Sequence, residues 1–182
     1  PDKLMTGKYA DFFFADQQAR RGLIPPWSNA KGAKELRGTM GMKPVIGIFS
    51  VGIEEEFRWK DSVQNDAEIK IWVAEGVANG MKPCFVKFGG NIFDKRWMPA
   101  VEKMYQRYYK NEKYLRNTAP MARVGMVYSE QTDQKYGGKP WQQRSNEHAL
   151  GMYHALVEDH MPFEMVNDQL LGEEHVKAFK LL

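Results

Sequence analysis

Cysteine is nearly absent: Cys84 is the only one in 182 residues. That excludes an internal disulfide. Lying in the apolar run "KPCFVKF", Cys84 reads as a small buried side chain rather than a reactive thiol. Long apolar stretches are also missing. None approaches the roughly 20 residues that a membrane-spanning helix needs, so no membrane partner is expected. Dense charge of one sign is missing too. Lys and Arg number 26 against 23 Asp and Glu, a net charge of +3, and the basic residues are spread along the chain. No nucleic-acid partner is expected from that pattern.

The sequence also lacks the short motifs of several chemistries. "VYSEQT", 127–132, follows an apolar run but has neither the G-x-G-x-x-G nor the P-loop spacing, which counts against a nucleotide site. There is no serine elbow and no zinc-ligand spacing. The four histidines, His148, His154, His160 and His175, fall in the last quarter. The first three are spaced by six, about 240° apart on a helix, and do not share a face. No metal and no cofactor are expected. The chain opens on Pro1 with no signal peptide and closes on "KAFKLL", which reads as the start of a strand. A piece of a longer protein is the expectation.

What is present is an α/β pattern. Residues 1–42 are punctuated by Pro25-Pro26 and by Gly22, Gly32, Gly38 and Gly41. They read as a long loop, anchored by "YADFFFADQQARRG", with at most a short helix near Lys31–Arg37. Val45–Val51 is a short continuous apolar run, the mark of a strand buried on both faces. A helix follows, with Asn65 and Glu68 spaced as a capping box and Ile69, Trp72, Val73 and Val77 on one face. Asn79-Gly80 stops it. Pro83–Phe88 reads as a second strand. Asp94 is placed to cap a helix reaching about Arg116, with Trp97, Val101, Met104, Tyr105 and Tyr108 as its apolar stripe and Pro99 in its first turns. "NTAP", 117–120, is a break and marks a boundary, giving units 1–119 and 120–182. Beyond it come a strand near Arg123–Tyr128, a helix near Ser145–His160 with Leu150, Tyr153, Leu156 and Val157 inward, and the strand "FEMVND". Strands joined by helices run parallel.

In parallel α/β folds the loops after the carboxyl ends of strands hold the site. The loop after Val45–Val51 carries Glu54, Glu55, Glu56, Arg58 and Trp59. The loop after Pro83–Phe88 carries Lys87, Gly89, Gly90, Asn91 and Asp94. Carboxylates, cations, an amide and an indole are what a sugar requires: a platform for C–H faces and partners for hydroxyls. Glycosidic cleavage needs two carboxylates about 5–5.5 Å apart in retaining enzymes. Adjacent side chains on extended backbone point in opposite directions, so at most one or two of the three glutamates face inward. A solvated acidic loop is the alternative reading.

The stretches "GIFSVGIEEEFRWKDSVQNDAEIKIWVAEGVANGMKPCFVKFGG" and "RWMPAVEKMYQRYYKNEKYLRNTAPMARVGMVYSEQT" resemble glycosyl hydrolases related to the family 42 β-galactosidases. "ALGMYHALVEDHMPFEMVNDQLL" resembles the opening of the flavodoxin-like β-galactosidase trimerisation domain. The resemblance covers the chain from about Tyr9. It implies that 1–119 is the C-terminal part of a (β/α)8 barrel, with Val45–Val51 and Pro83–Phe88 as its seventh and eighth strands, and that 120–182 starts the next domain. It implies a carbohydrate substrate and a homo-oligomer, trimer-like, formed through the C-terminal domain. Family 42 places its nucleophilic glutamate at the end of the seventh strand. Phe49-Ser50 stands there in this chain, and Glu54 is the first carboxylate beyond it. The acid/base glutamate belongs to the fourth strand, so this stretch alone is expected to be inactive. Two other readings stay open: a non-catalytic sugar-binding or oligomerisation scaffold, and a flavodoxin-like ligand domain.

Overall fold

The computed structural model describes residues 3–18, 25–41, 43–52, 63–86, 93–116, 119–135 and 139–182, without the side chains of 133, 134, 139–146 and 173. By its contacts the chain divides into two compact units. One comprises Asp11–Leu36 and Lys43–Thr118; the other comprises Pro1–Ala10, Arg37–Met42 and Ala119–Leu182.

The first unit holds three parallel strands, β1 (Phe13–Asp16), β2 (Val45–Phe49) and β3 (Met81–Phe85), in the sequential order β1-β2-β3. The registers run from Phe13 opposite Val45 to Asp16 opposite Ile48, and from Val45 opposite Met81 to Phe49 opposite Phe85. Odd-numbered side chains face the helices. Ala15, Val45 and Met81 pack with Ala33 and Leu36 of helix α2 (Ser28–Met40). Phe49 and Val51 pack with Ile69, Trp72, Val73 and Val77 of α3 (Asp66–Ala78) and with Val101 and Met104 of α4 (Met98–Lys110). Full burial of each such aliphatic side chain stabilises by about 1.5–3 kcal/mol. Alternation along a strand sends the even-numbered side chains, Phe14, Asp16, Ile46, Ile48, Lys82 and Cys84, to the opposite face. None of these six is among the buried residues.

The expected elements of this unit are present with shifted ends. Asn65 caps α3, its side chain accepting from the Glu68 N–H at 2.9 Å. All four residues of the expected α3 face are buried. The residue after the C-cap, Gly80, takes φ 99°, a left-handed conformation that favours glycine. The second strand is Met81–Phe85 rather than Pro83–Phe88, and α4 begins at Met98 and ends at Lys110, followed by a 3-10 turn over Glu112–Tyr114. Pro99 does lie in the first turn. Asp94 does not cap α4: the capping position is Trp97, which makes no side-chain cap bond. Cys84 is only half-buried, because it lies on the face away from the helices.

The largest correction concerns residues 1–42, which are not a loop. They hold helix α1 (Lys3–Tyr9), β1 and all of α2. Of the glycines that read as breaks, Gly32 and Gly38 lie inside α2, Gly41 follows its last residue with φ 63°, and Gly22 lies outside the described residues. A Cβ on Gly38 would come within 2.2 Å of the Met165 carbonyl oxygen, and one on Gly32 within 3.1 Å of the Gln17 side chain.

The second unit holds a parallel pair, β4 (Val124–Tyr128) and β5 (Phe163–Asn167), paired Val124 to Phe163 through Tyr128 to Asn167. Leu181 forms a further parallel bridge with Val124, on the side of β4 away from β5, and its carbonyl accepts from the Gly125 N–H at 2.8 Å. Tyr153 of α6 (Lys139–Glu158) is fully buried and meets the Phe163 ring edge-on at 4.9 Å. α6 starts before the expected Ser145, and a short helix α5 (Glu130–Lys135) precedes it. Leu150 is 39% exposed rather than inward.

Candidate functional site

β2 and β3 end side by side. Phe49 pairs with Phe85, and the Val86 N–H donates to the Phe49 carbonyl at 2.9 Å. The acidic and the glycine loops therefore leave from the same, carboxyl, edge of the sheet. Gly52 bridges Val63 antiparallel, the Gln64 N–H donates to Val51 O at 2.9 Å, and Gln64 Nε2 donates to Gly52 O at 2.8 Å. Glu54, Glu55, Glu56, Arg58 and Trp59 of the first loop, and Lys87 and Asn91 of the second, lie outside the described residues.

Asp94 is described. Its carboxylate accepts from the Arg96 main-chain N–H at 3.0 Å, from Nε at 3.0 Å and from a terminal guanidinium nitrogen at 2.5 Å. These hydrogen bonds, from the side chain first and then from the backbone, hold its pKa down to about 2.

Beneath the edge, on the helix side, lies an aromatic group. Trp97 stacks on Phe85 at 5.0 Å, and Phe49 meets Phe85 at 5.5 Å and Tyr105 at 6.2 Å. Its packing on α3 and α4 makes it core rather than a sugar platform. The Tyr105 hydroxyl accepts from the Phe85 N–H at 3.0 Å and donates to Pro83 O at 3.3 Å. Burial pushes its pKa up, against the lowering effect of the Phe85 hydrogen bond.

The third strand end of this edge, Asp16-Gln17-Gln18, lies in a segment whose sequence reads as loop. Gln18 O accepts from the Ser50 N–H at 2.7 Å, and Gln17 O accepts from Trp72 Nε1 at 2.8 Å. Gln18 Nε2 donates to Asp16 Oδ1 at 3.3 Å. The signal for it was the four-residue apolar run "FFFA" ending in an acid, which is short enough for a buried strand.

A second carboxyl edge belongs to β4 and β5. Ser129 donates to Asp168 Oδ2, and the Thr132 N–H and hydroxyl donate to Ser129 Oγ at 3.0 and 2.9 Å. Glu130, 8% exposed, pairs with Lys3 Nζ at 2.7 Å. Asn167 accepts from the Gln169 N–H at 3.0 Å. Asn167 Nδ2 and Asp168 Oδ1 are buried there without a hydrogen-bond partner among the described residues. The same unit carries a pocket of about 170 Å³, with Arg37, Glu164 and His175 around Met165, Leu170 and Phe179.

Among the described residues no three His, Cys, Asp or Glu side chains could jointly hold a metal ion. No helix among them is long and apolar enough to cross a membrane. Of the histidines, His154 pairs with Glu158 at 2.8 Å and His175 stands 3.6 Å from Glu174. Comparison with protein-family models, with curated proteins and with solved structures returns no match.

Proposed function

We propose that the chain is the closing part of a (β/α)8 glycoside-hydrolase-like barrel, acting on a β-galactoside or a related sugar, joined to the start of a flavodoxin-like domain. The observation that carries this reading is the sequential parallel order β1-β2-β3 with α2, α3 and α4 packed on the odd-numbered face. A barrel keeps this sequential order with its helices on one face; a single βαβαβ half of a doubly wound sheet shares it, and the resemblance to the family 42 enzymes selects the barrel. The parallel pair β4-β5, with the isolated Leu181 bridge on the far side of β4, is compatible with the 2-1-3 order of a flavodoxin-like sheet and supports the second half of the proposal.

In this reading the sugar lies over the carboxyl edge, between the loop of Glu54, Glu55 and Glu56 and the loop of Lys87 and Asn91. One glutamate supplies a carboxylate, Arg58, Trp59, Lys87, Asn91 and Asp94 contact the ring and hydroxyls, and the acid/base group comes from outside this chain. The test uses the longer protein that the proposal requires, with each glutamate changed to Gln and aryl β-glycosides as substrates. Loss of one acting carboxylate lowers kcat by about 10²–10⁴-fold. Unchanged turnover in all three variants removes the catalytic role.

Ser50 favours a second reading. A hydroxyl, not a carboxylate, follows the last residue of β2, and its N–H is bonded to Gln18. A barrel of this kind that binds sugar without cleaving it, or serves as an oligomer scaffold, fits that feature. Calorimetry with a sugar panel separates the two: binding without turnover selects the non-catalytic barrel.

A further inference from the structure

We infer that Asp16 and Gln18 are a hydroxyl-binding pair at the carboxyl edge and set which sugar epimer the site accepts; this rests on the carbohydrate reading above. Ala15 is buried against α2, so alternation turns Asp16 to the face without these helices. Asp16 is the last residue of β1 and stands opposite Ile48, two residues before Ser50. The carboxylate is thus presented at the edge from which the acidic loop departs, one strand spacing, about 4.8 Å, to its side.

The backbone beneath the pair is fixed from two sides. Trp72, almost fully buried, donates its indole N–H to Gln17 O, and Ser50 donates its main-chain N–H to Gln18 O. The Gln17 side chain fills the space that Gly32 leaves open. An exposed acid on a solvated loop needs none of these anchors; a ligand-binding pair gains from them, because little freedom is lost on binding.

The free atoms suit a polyol. Gln18 Nε2 holds Asp16 Oδ1, and Oδ2 has no partner among the described residues. Oδ2 accepts a charge-assisted bond from one hydroxyl. The Gln18 amide, with its carbonyl oxygen and second N–H, accepts from one neighbouring hydroxyl and donates to another. On the same face Phe14, 51% exposed, meets Phe12 edge-on at 5.3 Å.

The experiment is calorimetry of the longer protein that completes the barrel, and of its Asp16→Asn and Gln18→Ala variants, with methyl β-galactoside, methyl β-glucoside and methyl β-mannoside. Asp16→Asn is expected to weaken the preferred sugar about tenfold or more, the effect of losing a charged hydrogen bond. Both variants shift the affinity ratio between the epimers, which a purely structural role would not do. Thermal unfolding stays at the wild-type midpoint, since both side chains are only partly covered. Unchanged affinities and ratios in both variants overturn the pair and leave the carbohydrate reading standing. Failure of all three sugars to bind that longer wild-type protein overturns the carbohydrate reading itself, and the pair with it.

Discussion

Asp94 and Arg96 form a local clamp whose strength is visible in one proton. The three Arg96 donors on the carboxylate favour its charged form, so its pKa falls to about 2 from an ordinary value near 4. A lowered carboxyl pKa adds stability above the unfolded value, and that stability is lost as pH falls from about 4 through about 2. The pair is solvent-accessible, so global unfolding registers little of it. The measurable consequence is local. In a carboxyl-carbon NMR titration Asp94 has its midpoint near 2, and Arg96→Ala returns it toward 4; a midpoint that Arg96→Ala leaves unmoved removes the clamp. Single residues also mark where sequence reading failed. Gly32 and Gly38 read as chain breaks because glycine is locally permissive. In the fold both lie inside α2: the Met165 carbonyl leaves no room for a Cβ on Gly38, and the Gln17 side chain packs tightly against Gly32.

At the scale of elements, α3 was legible almost whole. Its cap, its buried face and its stop are all local signals, and each is present. α4 was legible in its stripe but not in its start. Asp94 has the chemistry of a cap, yet Arg96, two residues on, engages its carboxylate through a main-chain N–H and two guanidinium nitrogens. Tyr105 ties α4 to β3. Its hydroxyl serves both a donor and an acceptor of the outer strand, where neither Phe85 N–H nor Pro83 O has another strand to meet in this sheet. Tyr105→Phe keeps the ring contact with Phe49 and removes both bonds. It is expected to cost about 1 kcal/mol in urea unfolding, with amide exchange at Phe85 faster than in the parent. Unaltered exchange at Phe85 rules out the tie.

At the scale of the molecule, strand order carries the functional reading. The even-numbered face of β1-β2-β3 presents Phe14, Ile46, Ile48 and Cys84, an apolar surface on a parallel sheet, and parallel sheets are covered on both faces. The barrel proposal covers it with the remaining strands. Cys84 reports on that face. A thiol reagent should label it in the native 182-residue chain, and labelling should slow by about tenfold or more in a longer protein that completes the barrel. Equal rates in both would leave the face uncovered and count against the closed barrel.

The sequence by itself determined the α/β class, the parallel direction of the strands and the position of α3, because periodicity, caps and crossovers act within a few residues of one another. It also assigned the acidic and glycine loops to strand ends. Only the tertiary structure decided that residues 13–16 are a strand and that Ser28–Met40 is one helix through two glycines. It alone placed Asp16 at the carboxyl edge, on the face away from α2, α3 and α4. Those outcomes depend on which distant residue fills the space beside each one: Val45 and Ala33 beside Ala15, the Met165 carbonyl beside Gly38, and the Trp72 indole beside Gln17. A chain read residue by residue holds no record of neighbours brought in from tens of positions away.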